Sequence, residues 1–350
     1  MLSNITNILL TFVTQSLLIK FLGTEYTGLN GLFLNIISML GISELGIGQA
    51  IIYNLYKPIK DNNREKIKSL LSFYKRSYHI IAIIILILGI CILPFINTII
   101  GENNIKENVH LIFIFFLIDS ISSYLLSYKR SILYATQKNY IVDAVHIICL
   151  IFMNIIQILV LISSKNYYLY VFLRVIFRMI ENVIITNIAN KRYPYVKEKN
   201  VNKLEKTIKN DIIQKVKGSI FHSSGAFIVL NSDNIIISTF LSLDILGRYL
   251  NYNMIIKSVS NLFSQVFTAM TASIGNLLAY GDSEKSYDIY RKVTFLNFWI
   301  FSYSAISIFC IIEPFITIWI GKEFILPTDV LIVLVFNFYI QRYETINYSF

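Results

Sequence analysis

Long apolar runs dominate this chain and set the strongest limit on how it can fold. The stretch 80–100 contains no charged residue, and comparable stretches recur along the whole length. A helix needs about 20 apolar residues to cross about 30 Å of hydrocarbon, so each of these runs can form one membrane span. Only 15% of the 350 residues are charged, against about 25% in a typical soluble domain. The chain is therefore predicted to be an all-α, polytopic membrane protein.

Ten transmembrane helices are predicted from the apolar runs and from the turn and charge signals between them. They lie near residues 5–22, 31–55, 78–100, 109–128, 140–163, 167–189, 218–242, 249–279, 293–320 and 326–348. Lys and Arg total 22 in the connections 56–77, 129–139, 190–217 and 280–292. The alternate connections and the end of the first span hold only five. Because cytoplasmic connections carry the excess of Lys and Arg, these four are predicted to be cytoplasmic, as is the N-terminus.

The remaining composition excludes several classes of function. The net charge of +10 is explained by topology, so no nucleic-acid partner is expected. The three cysteines lie inside apolar runs and the four histidines share no helix-face spacing, so no disulfide framework and no metal site is predicted. No nucleotide-binding loop or nucleophile elbow occurs, and the chain is predicted not to be an enzyme. No cofactor is expected other than a coupling ion, either H⁺ or Na⁺.

The chain repeats itself weakly at an offset of 219 to 220 residues. Phe21-Leu22 matches Phe240-Leu241, and Pro94-Phe95-Ile96 matches Pro314-Phe315-Ile316. Six predicted spans fit within that offset, and an even number restores the direction of the chain across the membrane. The two halves are therefore predicted to be parallel repeats, a plan used by secondary transporters. The predicted domains are an N-terminal six-helix bundle (1–190), a basic cytoplasmic linker (191–217) and an incomplete, four-helix C-terminal bundle (218–350).

Three motifs in the N-terminal quarter resemble a known family. They are FLGTEYTGLNGLF at Phe21–Phe33, ELGIG at Glu44–Gly48 and YNLYKP at Tyr53–Pro58. They are similar to the first-to-second-span signature of the Wzx-like polysaccharide repeat-unit flippases, which belong to the multidrug/oligosaccharidyl-lipid/polysaccharide exporter superfamily. Relative to that family, the second half of this chain is expected to lack its last spans.

The resemblance implies a function, a location and partners. The expected function is movement of undecaprenyl-phosphate-linked saccharide units across the bacterial cytoplasmic (inner) membrane by alternating access. Such transport serves the assembly of capsule, O-antigen or exopolysaccharide. The expected partners are the lipid-linked saccharide, membrane lipids and proteins of polysaccharide assembly.

Polar residues within the spans mark candidate substrate sites, because they are costly in hydrocarbon and usually face a cavity or the bundle interior. The eighth span carries Asn253, Lys257, Asn261 and Gln265 on one helix face. This stripe favours a substrate cavity over a helix–helix interface, since a charged Lys is unfavourable between packed helices. The sixth span places Arg174, Arg178 and Glu181 on one face. The two arginines either grip a phosphate or, through Arg178 and Glu181, form a structural brace.

Further polar groups are candidates for ion coupling or for helix packing. Asp119, Asp233 and Glu44 lie within spans and are candidates for a proton or cation site. The alternative is that Asp119 and Asp233 are protonated and hydrogen-bonded, and that Glu44 belongs to a structural signature. On the first span, Asn7, Thr11, Thr14 and Gln15 form a stripe that favours a helix seam.

Three other functions remain open. The first is a drug or metabolite/cation antiporter of the same superfamily, which would predict acidic control of the cavity. The second is a membrane saccharide polymerase or acyltransferase, which is less favoured because the outer connections are short. The third is an inactive fragment.

Overall fold

The computed structural model of the protein describes residues 2–44, 47–198, 204–279 and 283–343, and within these ranges every regular element is helical. The α-helices are α1 (Leu2–Leu22), α2 (Thr24–Leu40), α3 (Ile47–Lys60), α4 (Arg64–Ile92), α5 (Ile96–Ile100), α6 (Val109–Leu125), α7 (Arg130–Ala135), α8 (Asn139–Ser163), α9 (Tyr167–Arg192), α10 (Lys206–Phe240), α11 (Leu243–Ala279), α12 (Ser283–Trp319) and α13 (Thr328–Tyr343). Short 3₁₀ turns occupy Gly41–Glu44, Leu93–Phe95, Ser127–Lys129, Pro194–Lys197 and Lys322–Phe324. The all-α prediction is confirmed.

The helices group into segments that follow the predicted spans. Each of the ten predicted spans overlaps one helix or one pair of helices joined by a short break. Among the residues that the structure describes, four segments are long and apolar enough to cross a membrane, namely Arg64–Ile100, Val109–Ala135, Asn139–Ser163 and Ser286–Trp319. Thr6–Leu22 and Thr328–Gln341 are shorter apolar helices. The chain is a multi-pass membrane protein, and the count of ten crossings stays a prediction.

Several sequence predictions extend beyond what the structure describes, including residues 199–203 of the predicted linker and residues 280–282 of the connection 280–292. Leu45 and Gly46, in the middle of the motif at Glu44–Gly48, lie outside the described residues. So do residues 344–348 of the last predicted span.

Asparagine side chains begin three of the helices. Asn63 accepts a hydrogen bond from the Lys66 backbone N–H, Asn108 from those of His110 and Leu111, and Asn166 from that of Leu169. The first N–H groups of a helix have no partner within it, so each such cap contributes about 1 kcal/mol to helix stability. The caps therefore fix where α4, α6 and α9 start.

Helix starts recur at the repeat offset. Leu243 and Thr328 begin α11 and α13, and each lies 219 residues after the start of α2 or α6 (243 − 24 and 328 − 109). The sequence matches between the halves are sparse, but these boundaries coincide to the residue. The repeat predicted from the sequence is therefore also a repeat of helix boundaries.

Two glycines end corresponding helices of the repeat. Gly101 follows α5 with φ of 68°, and Gly321 follows α12 with φ of 122°. Residues with a Cβ rarely adopt such positive φ values, so glycine is favoured at both ends. The nearby prolines differ between the halves. Pro94 lies in the 3₁₀ turn that separates α4 from α5, whereas Pro314 lies inside the continuous α12.

The chain divides into two compact units. The N-terminal unit is Leu2–Leu246, and the C-terminal unit starts at Gly247. The N-terminal unit thus includes the predicted linker 191–217, which contains the turn Pro194–Lys197 and the start of α10. The division into functional bundles that end at residue 190 and begin at residue 218 stays a prediction.

Each unit has its own apolar core. In the N-terminal unit the Phe33 ring packs edge-on against Phe113, with centroids 5.2 Å apart. In the C-terminal unit Phe301 packs against Phe338 at 5.8 Å. Large apolar side chains on the opposite helix faces are exposed, as expected of helices that meet lipid rather than water.

Candidate functional site

A polar cavity of about 230 Å³ lies between helices of the N-terminal unit. We name it the arginine cavity. Its lining combines charged, amide and hydroxyl side chains from α1, α2, α6, α8 and α9, among them Asn7, Thr11, Thr14, Gln15, Asn30, Asp119, His146, Asn154, Gln157, Arg174, Arg178 and Glu181. Polar groups of this kind are expensive in hydrocarbon, so their convergence on one cavity marks a candidate functional site.

Helical periodicity brings these side chains together. Arg174, Arg178 and Glu181 are four and three residues apart on α9, and residues at this spacing share a helix face. On α8, His146, Asn154 and Gln157 follow the same periodicity. Because α8 packs against both α1 and α9, the polar faces of the three helices meet.

Asp119 on α6 is held by two arginines of α9. Its carboxylate oxygens lie 3.5 Å from an Arg174 Nη and 3.4 Å from the Arg178 Nε. Arg174 also donates to the Asn30 side-chain oxygen at 3.2 Å, and its guanidinium lies 4.8 Å from the centre of the Phe116 ring. These contacts fix Arg174 in place, as a preorganised anion-binding group requires.

Glu181 is the second carboxylate of the site and is almost fully buried. One of its oxygens lies 2.8 Å from an Arg130 Nη, and the other lies 3.2 Å from the His146 Nδ1. Arg178 reaches the same carboxylate at 3.9 Å. A carboxylate buried this deeply needs several charged or donating partners to offset its loss of water.

The charges of this network do not cancel. Arg130, Arg174 and Arg178 carry three positive charges, and Asp119 and Glu181 carry two negative charges. The sum is +1 when His146 is neutral and +2 when it is protonated. The network therefore carries net positive charge, although Arg130 itself is not among the lining residues, where Arg174 and Arg178 balance Asp119 and Glu181.

Arg178 makes the contacts expected of a structural brace, whereas its grip on a phosphate stays a prediction. It bridges Asp119 and Glu181, which is a structural brace. Its side chain is still 31% exposed, and it lines the cavity. A guanidinium has five N–H donors, so the two carboxylate contacts do not exhaust it.

The polar stripe of α1 serves as a seam and also as cavity wall. Thr14 donates to the Asn154 side-chain oxygen on α8 at 2.6 Å, which is the predicted type of helix seam. Asn7, Thr11 and Gln15 of the same stripe line the cavity. On the facing side, Gln157 donates to the Tyr170 backbone oxygen at 2.8 Å.

Sequence reasoning missed Arg130, His146, Asn154 and Gln157. Arg130 lies in a predicted connection, where the sequence indicates only a contribution to the topology. The other three form a stripe on the fifth predicted span, and the face analysis applied to the sixth and eighth spans would have found it.

The other candidate carboxylates lie away from the arginine cavity. Glu44 ends the turn that separates α2 from α3, and the Tyr78 hydroxyl donates to it at 2.6 Å. The Tyr78 ring packs against Tyr74 and Tyr124, with centroids 4.3 and 5.6 Å away, so aromatic rings surround this carboxylate. Asp233 is an exposed residue of α10.

The predicted stripe of the eighth span lies on α11, in the C-terminal unit. Lys257 and Asn261 are exposed there, and Asn253 and Gln265 are partly buried. None of the four lines the arginine cavity. Their role as substrate-binding residues stays a prediction.

No group of three or more His, Cys, Asp or Glu residues that could hold a metal ion occurs in the part of the chain that the structure describes.

Comparison with known proteins identifies the fold. No family model matches the chain, and no curated protein matches it. One similar solved structure is described as the inward-facing conformation of a multidrug resistance MATE family transporter of the MOP superfamily. The similarity covers 96% of this chain and 81% of that chain, at 13% identity and a TM-score of 0.63. A second, described as MATE in the bent conformation, gives a TM-score of 0.48 at 14% identity, over 98% of this chain and 79% of that chain. The chain is thus a multi-pass helical membrane protein with the fold of a MATE family transporter of the MOP superfamily.

Proposed function

We propose that the protein moves an anionic, lipid-linked saccharide unit across the membrane and holds its phosphate in the arginine cavity. The single observation that carries this proposal is the pairing of Arg174 and Arg178 across Asp119, within a network of three arginines and two carboxylates at the arginine cavity. Guanidinium groups bind phosphate oxygens in a planar, two-point geometry. The surrounding amides and hydroxyls supply further hydrogen bonds.

The size of the cavity fits one part of such a substrate. Its volume of about 230 Å³ is below the roughly 300–1,000 Å³ of pockets that enclose drug-sized ligands. A phosphate or diphosphate group fits this space, whereas a complete saccharide unit with its lipid does not. We propose that the sugars and the lipid tail lie outside the arginine cavity during transport.

Transport by this fold needs an energy source, and we propose Glu44 as the coupling carboxylate. Asp119 is held by two guanidiniums, which repel an incoming cation. Glu44 instead accepts from a neutral tyrosine hydroxyl, which is compatible with uptake of H⁺ or Na⁺. Asp233 stays a further candidate.

A second candidate function is export of a drug or metabolite in exchange for a cation. It is favoured by one observation, which is that the solved structure with a TM-score of 0.63 is described as a multidrug resistance transporter. The charge of the arginine cavity argues against cationic drugs as its ligand. A cationic drug would have to displace an arginine from Asp119 or Glu181 before it could pair with either carboxylate.

The test is deletion of the gene and quantification of lipid-linked saccharides by mass spectrometry, together with an assay of their accessibility in each leaflet. Restoring the wild-type gene is expected to return the units to the outer leaflet. The double variant Arg174→Gln/Arg178→Gln is expected to leave them facing the cytoplasm. Each lost bond to a charged group costs about 1.5–3 kcal/mol, so transport should fall at least tenfold.

Arg192→Gln is the matched control. Arg192 is exposed at the end of the same helix and does not line the arginine cavity. This variant is expected to transport like wild type. Lys257→Glu, tested in parallel, reports whether the polar face of α11 belongs to the same pathway. Unchanged saccharide pools after deletion would refute the flippase proposal and leave the antiporter.

A further inference from the structure

A second polar cavity, of about 350 Å³, lies in the N-terminal unit where the predicted cytoplasmic connections meet. It is formed by the first turns of α4 and by the 3₁₀ turns Ser127–Lys129 and Pro194–Lys197. Four lysines line it, and the lining includes one carboxylate, Glu198. The lysines are Lys68, Lys75, Lys129 and Lys197. We name this site the lysine pocket.

One of the four lysines has a structural role. The ammonium of Lys68 lies 2.5 Å from a Glu65 oxygen and 2.8 Å from a Glu198 oxygen, and its side chain is buried. It therefore ties the segment after α9 to the start of α4. Its single positive charge is shared between Glu65 and Glu198, of which Glu198 lines the lysine pocket.

The other three lysines give the lysine pocket an excess of positive charge. Lys75, Lys129 and Lys197 have no ion-pair partner within residues 2–44, 47–198, 204–279 and 283–343. The Lys75 and Lys129 ammonium groups each lie 5.7 Å from the centre of the Tyr128 ring, so two like charges meet at one aromatic side chain.

The burial of Lys129 makes the electrostatic energy of this arrangement unfavourable when no anion is bound. Its side chain is buried, and its ammonium donates to the Asn190 side-chain oxygen at 2.7 Å. An amide oxygen does not neutralise it, and Lys75 and Lys197 act on it as like charges. A buried charge is stable only when it is paired, so an anion among the three lysines would relieve the repulsion.

We propose that the lysine pocket binds the phosphate headgroup of an anionic membrane lipid. The three ammonium groups supply the charge, and the side chain of Ser72 lines the same pocket. The pocket also has apolar walls from Leu71, Tyr128 and Val196, which suit the glycerol and upper acyl region of a lipid. Basic pockets at the cytoplasmic ends of membrane helices recognise anionic headgroups by these interactions. This site is separate from the arginine cavity and does not depend on the proposed function.

The test measures binding of fluorescent phosphatidylglycerol and phosphatidylcholine to the purified full chain in neutral detergent. Wild type is expected to prefer phosphatidylglycerol by tenfold or more. Lys75 and Lys197 are both exposed, so the variant Lys75→Gln/Lys197→Gln should fold normally. Each lysine near an anionic headgroup is worth about a fivefold change in affinity, so this variant should bind phosphatidylglycerol about 25-fold more weakly.

The control variant is Lys60→Gln/Lys209→Gln, which removes the same charge from two exposed lysines outside the pocket. Its affinity for phosphatidylglycerol is expected to change less than twofold. An equal loss in the control would show unspecific attraction between charges and overturn the proposal. Displacement of the lipid by soluble glycerol phosphate of equal affinity would also overturn it, because the ligand would then be a free phosphate.

Discussion

Arg130 and Glu181 are joined by a contact of 2.8 Å between a guanidinium nitrogen and a carboxylate oxygen, although they lie on different helices, α7 and α9. The same Arg130 nitrogen donates to the Asn182 side-chain oxygen at 2.7 Å. Asn182 in turn donates to the Ser122 backbone oxygen on α6 at 2.7 Å. The short helix α7 is thus anchored to α6 and α9 by one polar network, and Glu181 of this network lines the arginine cavity.

Glu181→Gln is predicted to destabilise the protein strongly. The substitution removes the negative charge that Arg130 and Arg178 share, in a largely buried environment. Breaking a buried ion pair from one side costs about 3–5 kcal/mol. Thermal unfolding of the purified protein in detergent measures the effect.

The control for Glu181→Gln is Asp211→Asn. Asp211 pairs with Lys215 at 2.8 Å, but both side chains are about half exposed. An exposed pair of this kind contributes about 0–1 kcal/mol, so its loss should change little. If both variants unfold at the same temperature, the Glu181 network does not hold the helices together.

Gly89→Ala is predicted to loosen the packing of α4 against α6. A Cβ at this position would lie 2.5 Å and 2.8 Å from the two terminal carbons of Leu117, which is buried. Overpacking of this kind costs about 1–3 kcal/mol of stability. Adding Leu117→Ala should recover part of the loss, since the smaller side chain makes room for the new methyl group.

Gly218→Ala is the matched substitution for Gly89→Ala. Gly218 lies inside α10, and a Cβ there would meet no atom within 4 Å. Alanine favours a helix over glycine by about 1 kcal/mol, so this variant should be as stable as wild type or more stable. Equal destabilisation by both alanines would contradict the close approach of α4 and α6.

The sequence was sufficient to predict the helical class, the overlap of each predicted span with a helical segment, and the repeat. These depend on apolar runs and on residue spacing, which are local properties. It did not predict that Asp119 would meet Arg174 and Arg178, because their contact depends on how α6 packs against α9. Periodicity places residues on a helix face, but it does not tell which faces meet.

Polar residues near the ends of spans were the least predictable part of the site. Arg130 contributes to the positive-inside signal and also pairs with a buried carboxylate, and one sequence pattern cannot distinguish these roles. The three lysines that crowd the lysine pocket have the same ambiguity. In the sequence they only add to the positive charge of the connections. They form one pocket because the structure brings α4 and two turns together.

Tyr26→Phe is predicted to change how stability depends on pH. Tyr26 lies before the second predicted span and donates a short hydrogen bond to Glu107. Burial raises the pKa of Tyr26 above its usual value of about 10, and the hydrogen bond and negative charge of Glu107 raise it further. In the folded protein this hydroxyl therefore stays protonated at a pH where it would ionise in the unfolded chain.

The sign of the pH effect follows from that difference. The contribution of Tyr26 to stability is fully present below pH 10, and it falls as the pH rises above 10, by up to about 1.4 kcal/mol per pH unit. Tyr26→Phe should be less stable than wild type at pH 8, and this deficit should shrink at pH 11. A constant deficit for Tyr26→Phe would contradict the raised pKa.

Glu44→Gln is predicted to lower transport and to remove its dependence on the gradient of the coupling ion. Glutamine keeps a side-chain oxygen that can accept the hydrogen bond from Tyr78, so the turn between α2 and α3 should be preserved. It cannot release a proton or carry the charge that holds Na⁺. In the gene-deletion strain, a protonophore or removal of Na⁺ should lower the outer-leaflet fraction of lipid-linked saccharide when wild type is restored. With Glu44→Gln that fraction should be low and should not respond to either treatment.

Tyr78→Phe serves as the control, because it removes the hydrogen bond and keeps the carboxylate, so it should retain a response to the ion gradient. A Glu44→Gln protein that transports like wild type would assign Glu44 a structural role at the break between the two helices.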